Sequence, residues 1–467
     1  MITRLEIDGF KTFSNFKIDL SSFVVIAGTN GSGKSNLFDA IQLLSRLAET
    51  ELKSAFQEQR GEARELFTLL SDGTYKEKMS FMVEMLVDKK VKDSWGNEKE
   101  LKYTRLKYIL EIQRKKDDRK NLDTLIIVKE ELLPIKKEGD KWYDLNVGPK
   151  NVYYRPQNRV GRTVAYISTE IINDIVTLHL HTDGARGGKP SPAKEVEQTV
   201  LSGVTNAEFP HAFAARDEMR NWNLLQLNPV ELRKPSSMLA KNTLGIDGAN
   251  LPSVLARMNS EDIYILKDIS RELNNLLPGF ISLKIEEDKA RDQYVLKVIT
   301  QDKREFSSRV LSEGTLRLIA LCTIKYDAKH KGLLCFEEPE NGIHPFRLRN
   351  MLTLLNDLAT HFDNNRDVLF LKQIIVNTHS PGLISTLFNK SLGIKCKIFY
   401  ASFVNQVDPI SKQITRFTKL IPVDNDSAQT KLDFGFSEQD KSLTKNEVTK
   451  YLDTEDFEEA KNIIQRF

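Results

Sequence analysis

The sequence predicts an α/β fold in two lobes, and three stretches predict it. An apolar run from Phe23 to Ala27 leads into Gly28-Thr29-Asn30-Gly31-Ser32-Gly33-Lys34-Ser35, and Leu37, Ile41, Leu44 and Leu47 then follow at helical spacing. Two further short runs, Leu333 to Phe336 and Gln373 to Val376, each stop abruptly at acidic or polar residues. Buried strands alternating with helical stretches are the pattern of a largely parallel sheet covered on both faces.

A chain of 467 residues is long enough for more than one compact lobe, since single cores stop growing near roughly 250–300 residues. With 68 Lys and Arg against 65 Asp and Glu, the net charge of +3 advertises no nucleic-acid-binding tail, so any charged partner must be met locally. Cys322, Cys335 and Cys396 lie far apart, without the paired spacing of a metal knuckle, and read as buried free thiols of a reducing, cytoplasmic protein. The charged first residues are unlike a signal peptide, and no apolar run reaches the 18 residues of a membrane span.

The first stretch fits G-x-x-x-x-G-K-[ST] in the context that gives the pattern meaning, a strand before it and a helix after it. Glycines let backbone N–H groups turn inward around a phosphate, and the helix N-terminus adds partial positive charge. Gly28 to Asn36 are thus the candidate nucleotide-binding residues: Lys34 bridges the terminal phosphates, and the Ser35 hydroxyl is placed for Mg²⁺.

A phosphate loop alone does not separate kinases, GTPases and motor ATPases. Downstream, Ser312-Glu313-Gly314-Thr315 opens an apolar helix with Leu316, Ile319, Ala320 and Thr323 on one face. By itself this is either an ordinary N-cap or an anion-binding helix start. Leu333 to Phe336 delivers Glu337 and Glu338 at a strand end, with Pro339 fixing the turn behind them. Successive side chains point to opposite sides, so one carboxylate can reach a metal while its neighbour polarises water. Gln373 to Val376 ends in Asn377-Thr378-His379-Ser380, which puts a histidine at the tip of a strand, where α/β sheets hold ligands.

Taken in order, these motifs resemble the ABC-type ATPase heads of the SMC, RecF and OLD group, and the leading "ITRLEIDGFKTFSNFKIDL" is similar to that group's first two strands. "LNPVELRKPS", "LGIDGANLPSVLARM", "LSEGTLRLIAL", "EEPENGIHP" and "NTHSP" resemble more closely the stand-alone AAA21-type ATPases, many of them in anti-phage operons such as PARIS and Septu. The resemblance spans roughly residues 1–130 and 230–425 and implies ATP and Mg²⁺ as ligands. Residue by residue, it implies Glu337 on the metal with Ser35, Glu338 as general base, and His379 on the γ-phosphate. Ser312, Glu313, Gly314 and Thr315 would form the signature that reaches a nucleotide held by a second copy, so that a homodimer or larger homo-oligomer is implied. Two departures stand out. Glu313 replaces the first glycine of the ABC signature, and no convincing glutamine of the Q-loop can be placed, Gln57 and Gln59 being the nearest candidates.

The expected organisation is an ATPase lobe with β-rich hairpins at residues 1–160, a mainly helical insertion at 161–277, a second ATPase lobe at 278–425, and a charged helical tail at 426–467. No heptad pattern is sustained, so the insertion stands in place of a coiled-coil arm. Residues 89–150 carry 17 Lys or Arg against 12 Asp or Glu. With Trp95, Tyr103, Tyr108 and Trp142 nearby they could lie along nucleic acid, but the interleaved acids favour solvated hairpins. The tail, with Phe457, Ala460, Ile463 and Ile464 on one face, either docks on its own lobe or binds a partner. Nothing after His379 reads as a nuclease site; the "DND" at Asp424 to Asp426 follows a proline in a loop. The expected function is therefore a regulatory ATPase of an anti-phage system that controls a separately encoded nuclease or toxin. The alternative is a RecF-like DNA-repair ATPase that clamps DNA on dimerising.

Overall fold

The computed structural model describes residues 1–117, 122–136, 138, 140–148, 151, 154, 165–173, 175–182, 189–193, 196–277, 279–362, 371–388, 392–407 and 414–423. The expected tail helix and the "DND" loop lie outside these residues. A central sheet has the order β12 (Trp222–Leu225), β17 (Gly332–Glu337), β18 (Lys372–Thr378), β3 (Phe23–Ala27), β19 (Lys397–Val407) and β20 (Ile414–Pro422). Its first five strands are parallel, and β20 returns antiparallel along β19.

Apolar runs without alternation fit this sheet because both of its faces are covered. Along β3, Val24 and Ile26 enter one hydrophobic core while Phe23, Val25 and Ala27 enter another. Leu333 and Cys335 of β17 likewise join the first core, and Leu334 and Phe336 the second.

The first core lies between the central sheet and an eight-stranded antiparallel sheet. The latter runs β11 (Lys189–Pro192), β10 (Ile175–Leu180), β9 (Ile167–Ile172), β8 (Leu122–Pro134), β7 (Arg105–Asp117), β4 (Lys78–Leu86), β1 (Ile2–Asp8), β2 (Phe16–Asp19). Helices α1 (Lys34–Leu47), α2 (Leu52–Gln57) and α4 (Pro210–Arg220) fill the same core, and α3 (Lys141–Asn146) packs beside it. The second core collects α5 (Pro229–Arg233), α6 (Leu251–Glu261), α7 (Ile265–Leu276), α8 (Glu313–Tyr326), α9 (Leu348–Leu358) and α10 (Pro381–Phe388). A small sheet closes it, in the order β13 (Ser236–Ser237), β15 (Gln293–Thr300), β14 (Phe280–Asp288), with β16 (Glu305–Ser307) also on β15. A separate hairpin pairs β5 (Lys90–Lys92) with β6 (Glu98–Glu100).

Residues 161–277 are not a single helical insertion. β9, β10 and β11 extend the eight-stranded sheet, β12 is an edge of the central sheet, and only the stretch from α4 onward is mainly helical. β12 is four residues long and holds a tryptophan and an asparagine, too short a signal to separate from loop. Nor are all three thiols buried: Cys322 and Cys335 are, but Cys396 is only half-buried.

A buried carboxylate joins the eight-stranded sheet to α1. Glu130 of β8 accepts from the backbone N–H of Val200 (2.7 Å) and Leu201 (2.9 Å) and from the Tyr108 hydroxyl (3.0 Å). Thr199 beside them donates to the Leu47 carbonyl at the end of α1 (2.8 Å). Burial raises Glu130 from 4.5 to about 7, against those three hydrogen bonds. The folded chain therefore holds this proton more tightly than the unfolded chain, and its contribution to stability falls as pH rises from about 4.5 to about 7. Glu130→Gln is expected to flatten that part of the pH–stability curve, read as the difference between wild-type and variant denaturation midpoints at each pH. A wild-type slope that survives unchanged in the variant would exclude Glu130 as its source.

Candidate functional site

Parallel pairing brings the three sequence motifs to one edge. Glu337 at the end of β17 is registered with Asn377 of β18, and Thr378 of β18 with Ala27 of β3, just before the glycine loop. This is the C-terminal edge, where open α/β sheets bind ligands.

The loop needs its glycines. Gly28, Gly31 and Gly33 have φ of 148°, 79° and 88°, in the region that side chains avoid. Gly33 serves as N-cap of α1 without a capping side chain, which leaves the helix start open to an anion. Lys34 lies back across the loop, its Nζ donating to the carbonyls of Gly28 (2.7 Å) and Thr29 (2.8 Å). Burial pulls its ammonium below the ordinary lysine range, while Glu338, Glu337 and Glu340 pull it the other way. Thr29, Asn30 and Gly31 are exposed at the loop's crest, and Ser32 is buried. The Asn377 amide donates to the Ser35 hydroxyl at 3.4 Å, tying α1 to β18.

The two adjacent carboxylates face different partners, Glu337 as the last residue of β17 and Glu338 in the turn that follows it. Glu337 Oε2 accepts from Gln226 Nε2 (2.9 Å), and its Oε1 lies 3.9 Å from the Arg60 guanidinium. The same guanidinium nitrogen donates to Asp39 of α1 (3.0 Å), which also accepts from Lys11 (2.6 Å). Glu338 has φ 47°, a left-handed conformation that a non-glycine residue holds only when its surroundings enforce it. Those surroundings are visible: its N–H donates to the Asn377 carbonyl (2.8 Å), Asn341 Nδ2 donates to Oε2 (2.7 Å), and His379 Nδ1 donates to Oε1 (2.7 Å). The histidine at the strand tip is thus joined directly to the second carboxylate.

Glu340, two residues on, was not singled out in the sequence. It is buried, accepts from the Thr378 hydroxyl, and is pushed up by burial. Gln226 was missed as well, because it follows a strand too short to recognise; parallel pairing of β12 with β17 carries it to Glu337. Gln59 is buried against the Ala55 carbonyl and Gln57 is exposed, and neither has a recorded bond to the two carboxylates.

Ser312 is the exposed N-cap of α8, accepting from the Thr315 N–H (3.3 Å) and bonded to the Thr315 hydroxyl (2.8 Å). Gly314 touches the turn that follows the acidic strand, and a Cβ there would lie 2.4 Å from the Gly342 carbonyl. Glu313 packs on Gly342 and accepts from Arg317 Nε (3.0 Å). Within one chain this helix start therefore docks on the acidic turn, while its hydroxyls remain outward.

The residues suit a triphosphate with a divalent cation. Among the described residues, Ser32 Oγ, Glu337 Oε1, Glu340 Oε2 and Asn377 Oδ1 are buried without a hydrogen-bond partner, a hydroxyl that can donate to phosphate and three oxygens that can ligate a cation. No three or more His, Cys, Asp or Glu side chains of the described residues gather into a metal site. The basic hairpins fit nucleic acid less well than their composition allows: Tyr108 and Trp142 are buried, and the Trp142 indole donates to the Leu20 carbonyl (2.6 Å). Only Trp95 of the four aromatics is largely exposed.

The family described as "AAA domain, putative AbiEii toxin, Type IV TA system" matches residues 23–385. No curated protein matches the chain. Among solved structures, an SmcHead bound to the C-winged helix domain of ScpA is 15% identical with a TM-score of 0.47, over 91% of this chain and 99% of that one. The SMC head domain from Thermotoga maritima is 13% identical with a TM-score of 0.40, over 91% and 99%. A Smc head with an extended coiled coil, bound to the C-terminal domain of ScpA from Pyrococcus furiosus, is 15% identical with a TM-score of 0.43, over 92% and 98%.

Gln226 holds one oxygen of Glu337, so Gln226→Ala frees that carboxylate to rotate, which matters if Glu337 ligates a cation as expected from the sequence. The expected result is a several-fold rise in the Mg²⁺ concentration needed for half-maximal nucleotide hydrolysis, without loss of metal-free nucleotide binding. An unchanged Mg²⁺ requirement would show that Gln226 does not orient Glu337.

Proposed function

The chain belongs to the AAA-domain family whose description names AbiEii toxin and type IV toxin–antitoxin systems, and from that premise we propose that it is an ATP-hydrolysing switch. The observation that carries this reading is the joining of Glu338 to His379 just past the ends of neighbouring strands β17 and β18, with β18 beside the strand that leads into the Lys34 loop. In this reading the loop N–H groups and Lys34 bind the phosphates. Ser35 and Glu337 would hold Mg²⁺, which when bound neutralises phosphate charge. Glu338 accepts the proton of the attacking water. His379 and Asn341 each donate to one of its oxygens, which leaves a second lone pair on each oxygen for that proton. His379, at the same edge, is placed in this reading to donate to the γ-phosphate.

Ser312 and Thr315 present hydroxyls outward at the start of α8, the arrangement needed to complete a site on a second copy. The contact of Gly314 with Gly342 ties that helix start to the turn behind Glu338 and Glu340. Closing two copies would then depend on the state of the acidic turn. At the level of biology, the reading is that this closure holds or releases a separately encoded nuclease or toxin in anti-phage defence. The motif resemblance and the toxin–antitoxin wording of the family description support it.

Glu338→Gln should retain ATP binding, lower turnover by a factor of about 10²–10⁴ as expected for loss of a general base, and accumulate a nucleotide-bound dimer seen by light scattering. Full turnover in that variant would remove Glu338 from the role. Lys34→Ala should instead lose ATP affinity by tenfold or more in calorimetry, and unchanged affinity would undo the reading of the loop. The defence role is tested by purifying Glu338→Gln with ATP and Mg²⁺ after co-expression with its neighbouring genes. A stoichiometric nuclease-like or toxin-like companion supports the role, whereas a homodimer retaining only DNA would favour a repair clamp.

A further inference from the structure

The wall of the phosphate loop is built by the far end of the chain. Hairpin β19–β20 approaches both ends of the loop: a Cβ on Gly28 would lie 2.8 Å from the Ala401 carbonyl, and a Cβ on Gly33 would lie 1.9 Å from Thr418 Oγ1. Thr418 is buried, and its side chain does more than fill space. Its Oγ1 is 2.6 Å from Thr12 Oγ1, in the turn between β1 and β2, and 3.4 Å from the Ser32 carbonyl. Thr12 Oγ1 in turn accepts from Asn36 Nδ2 (2.8 Å), and the Thr418 N–H donates to the Thr12 carbonyl (2.9 Å).

Proton counting gives these contacts one direction. A carbonyl only accepts, so Thr418 must donate to Ser32; Thr418 is then free to accept from Thr12, whose own lone pair takes the Asn36 amide. The relay Asn36 to Thr12 to Thr418 to Ser32 thus leaves α1 and returns to the loop that precedes it. A trans peptide directs its C=O and the following N–H to opposite sides, and no peptide bond among the described residues is cis. Holding the Ser32 carbonyl toward β20 therefore turns the Gly33 N–H away from β20, to the inner side of the loop.

We propose that Thr418 is a positioning residue for nucleotide binding: its hydroxyl, oriented by Thr12 and Asn36, holds the Ser32–Gly33 peptide so that the Gly33 N–H faces the phosphates. This rests on the reading of the loop as a nucleotide site. It assigns a determinant of affinity to a strand 386 positions from the loop. A movement of hairpin β19–β20 would then act on the nucleotide in part through this hydroxyl.

The test measures the dissociation constant for ATP with Mg²⁺ by calorimetry on the full chain, with KM and kcat alongside, for wild type, Thr418→Val and Thr418→Ser. Valine keeps the shape and removes the donor; serine keeps the donor. Thr418→Val should weaken binding about tenfold and raise KM by more than it lowers kcat, whereas Thr418→Ser should bind within about twofold of wild type. Thr12→Val should resemble Thr418→Val, and the double variant should be no weaker than either single one, as expected of one relay. Thr12→Val also carries the test if Thr418→Val does not fold. Wild-type affinity in the folded valine variants, or equal weakening by serine and valine, overturns the proposal. A wild-type chain that binds no nucleotide overturns instead the reading on which it rests.

Discussion

The parallel registration of β17, β18 and β3 is the constraint on which the candidate site depends. Both faces of these strands are dry, so none can shift by one residue without exchanging its two sets of apolar side chains between the two cores. Beyond Gln373, buried near the start of β18 and bonded to the backbone of Ile2 and Ser21, the strands are apolar until polar groups emerge together at their ends. Glu337, Asn377 and the first residue of the glycine loop reach the same level because the apolar residues behind them are locked. Function is here a boundary condition of packing: the cores determine where charge appears.

What appears at that edge is an excess of negative charge close to one buried ammonium. Glu337, Glu338 and Glu340 act on Lys34, and each is held by a different device: a guanidinium and an amide for Glu337, a histidine and an asparagine for Glu338, a threonine and burial for Glu340. Carboxylates so close together repel, and a cation placed among them relieves that repulsion. The left-handed backbone of Glu338 is one sign that the arrangement is enforced from outside the turn.

The contiguous parts of this design were legible in the sequence. A strand, a glycine loop and a helix in succession announce themselves, as do two acids directly after four apolar residues, because each motif carries its own context. Gln226 and Thr418 were not legible. Gln226 stands after a four-residue strand, and its importance comes only from the neighbour that pairing supplies. Thr418 is one of two threonines on an edge strand of mixed character, distinguished by the glycine it touches. β9 to β11 were misread because hydroxyl, histidine and proline residues interrupt the apolar alternation that marks strands. The aromatics near the basic hairpins supported only the less favoured nucleic-acid reading, and charge pattern does not reveal that Tyr108 and Trp142 point inward.

The hairpin that walls the glycine loop also has a consequence during synthesis. The loop and α1 leave the ribosome early, but β19 and β20 emerge after residue 397. At about 5–20 residues per second, the interval is roughly 20–75 seconds. For nearly all of it β3 lacks both of its parallel neighbours, β18 and β19, and Gly33 lacks the surface it rests on. A nascent chain therefore carries the complete phosphate-loop motif long before it has the wall that shapes it. On the reading of the loop as a nucleotide site, nucleotide engagement waits for a hairpin made more than 350 residues after the motif itself.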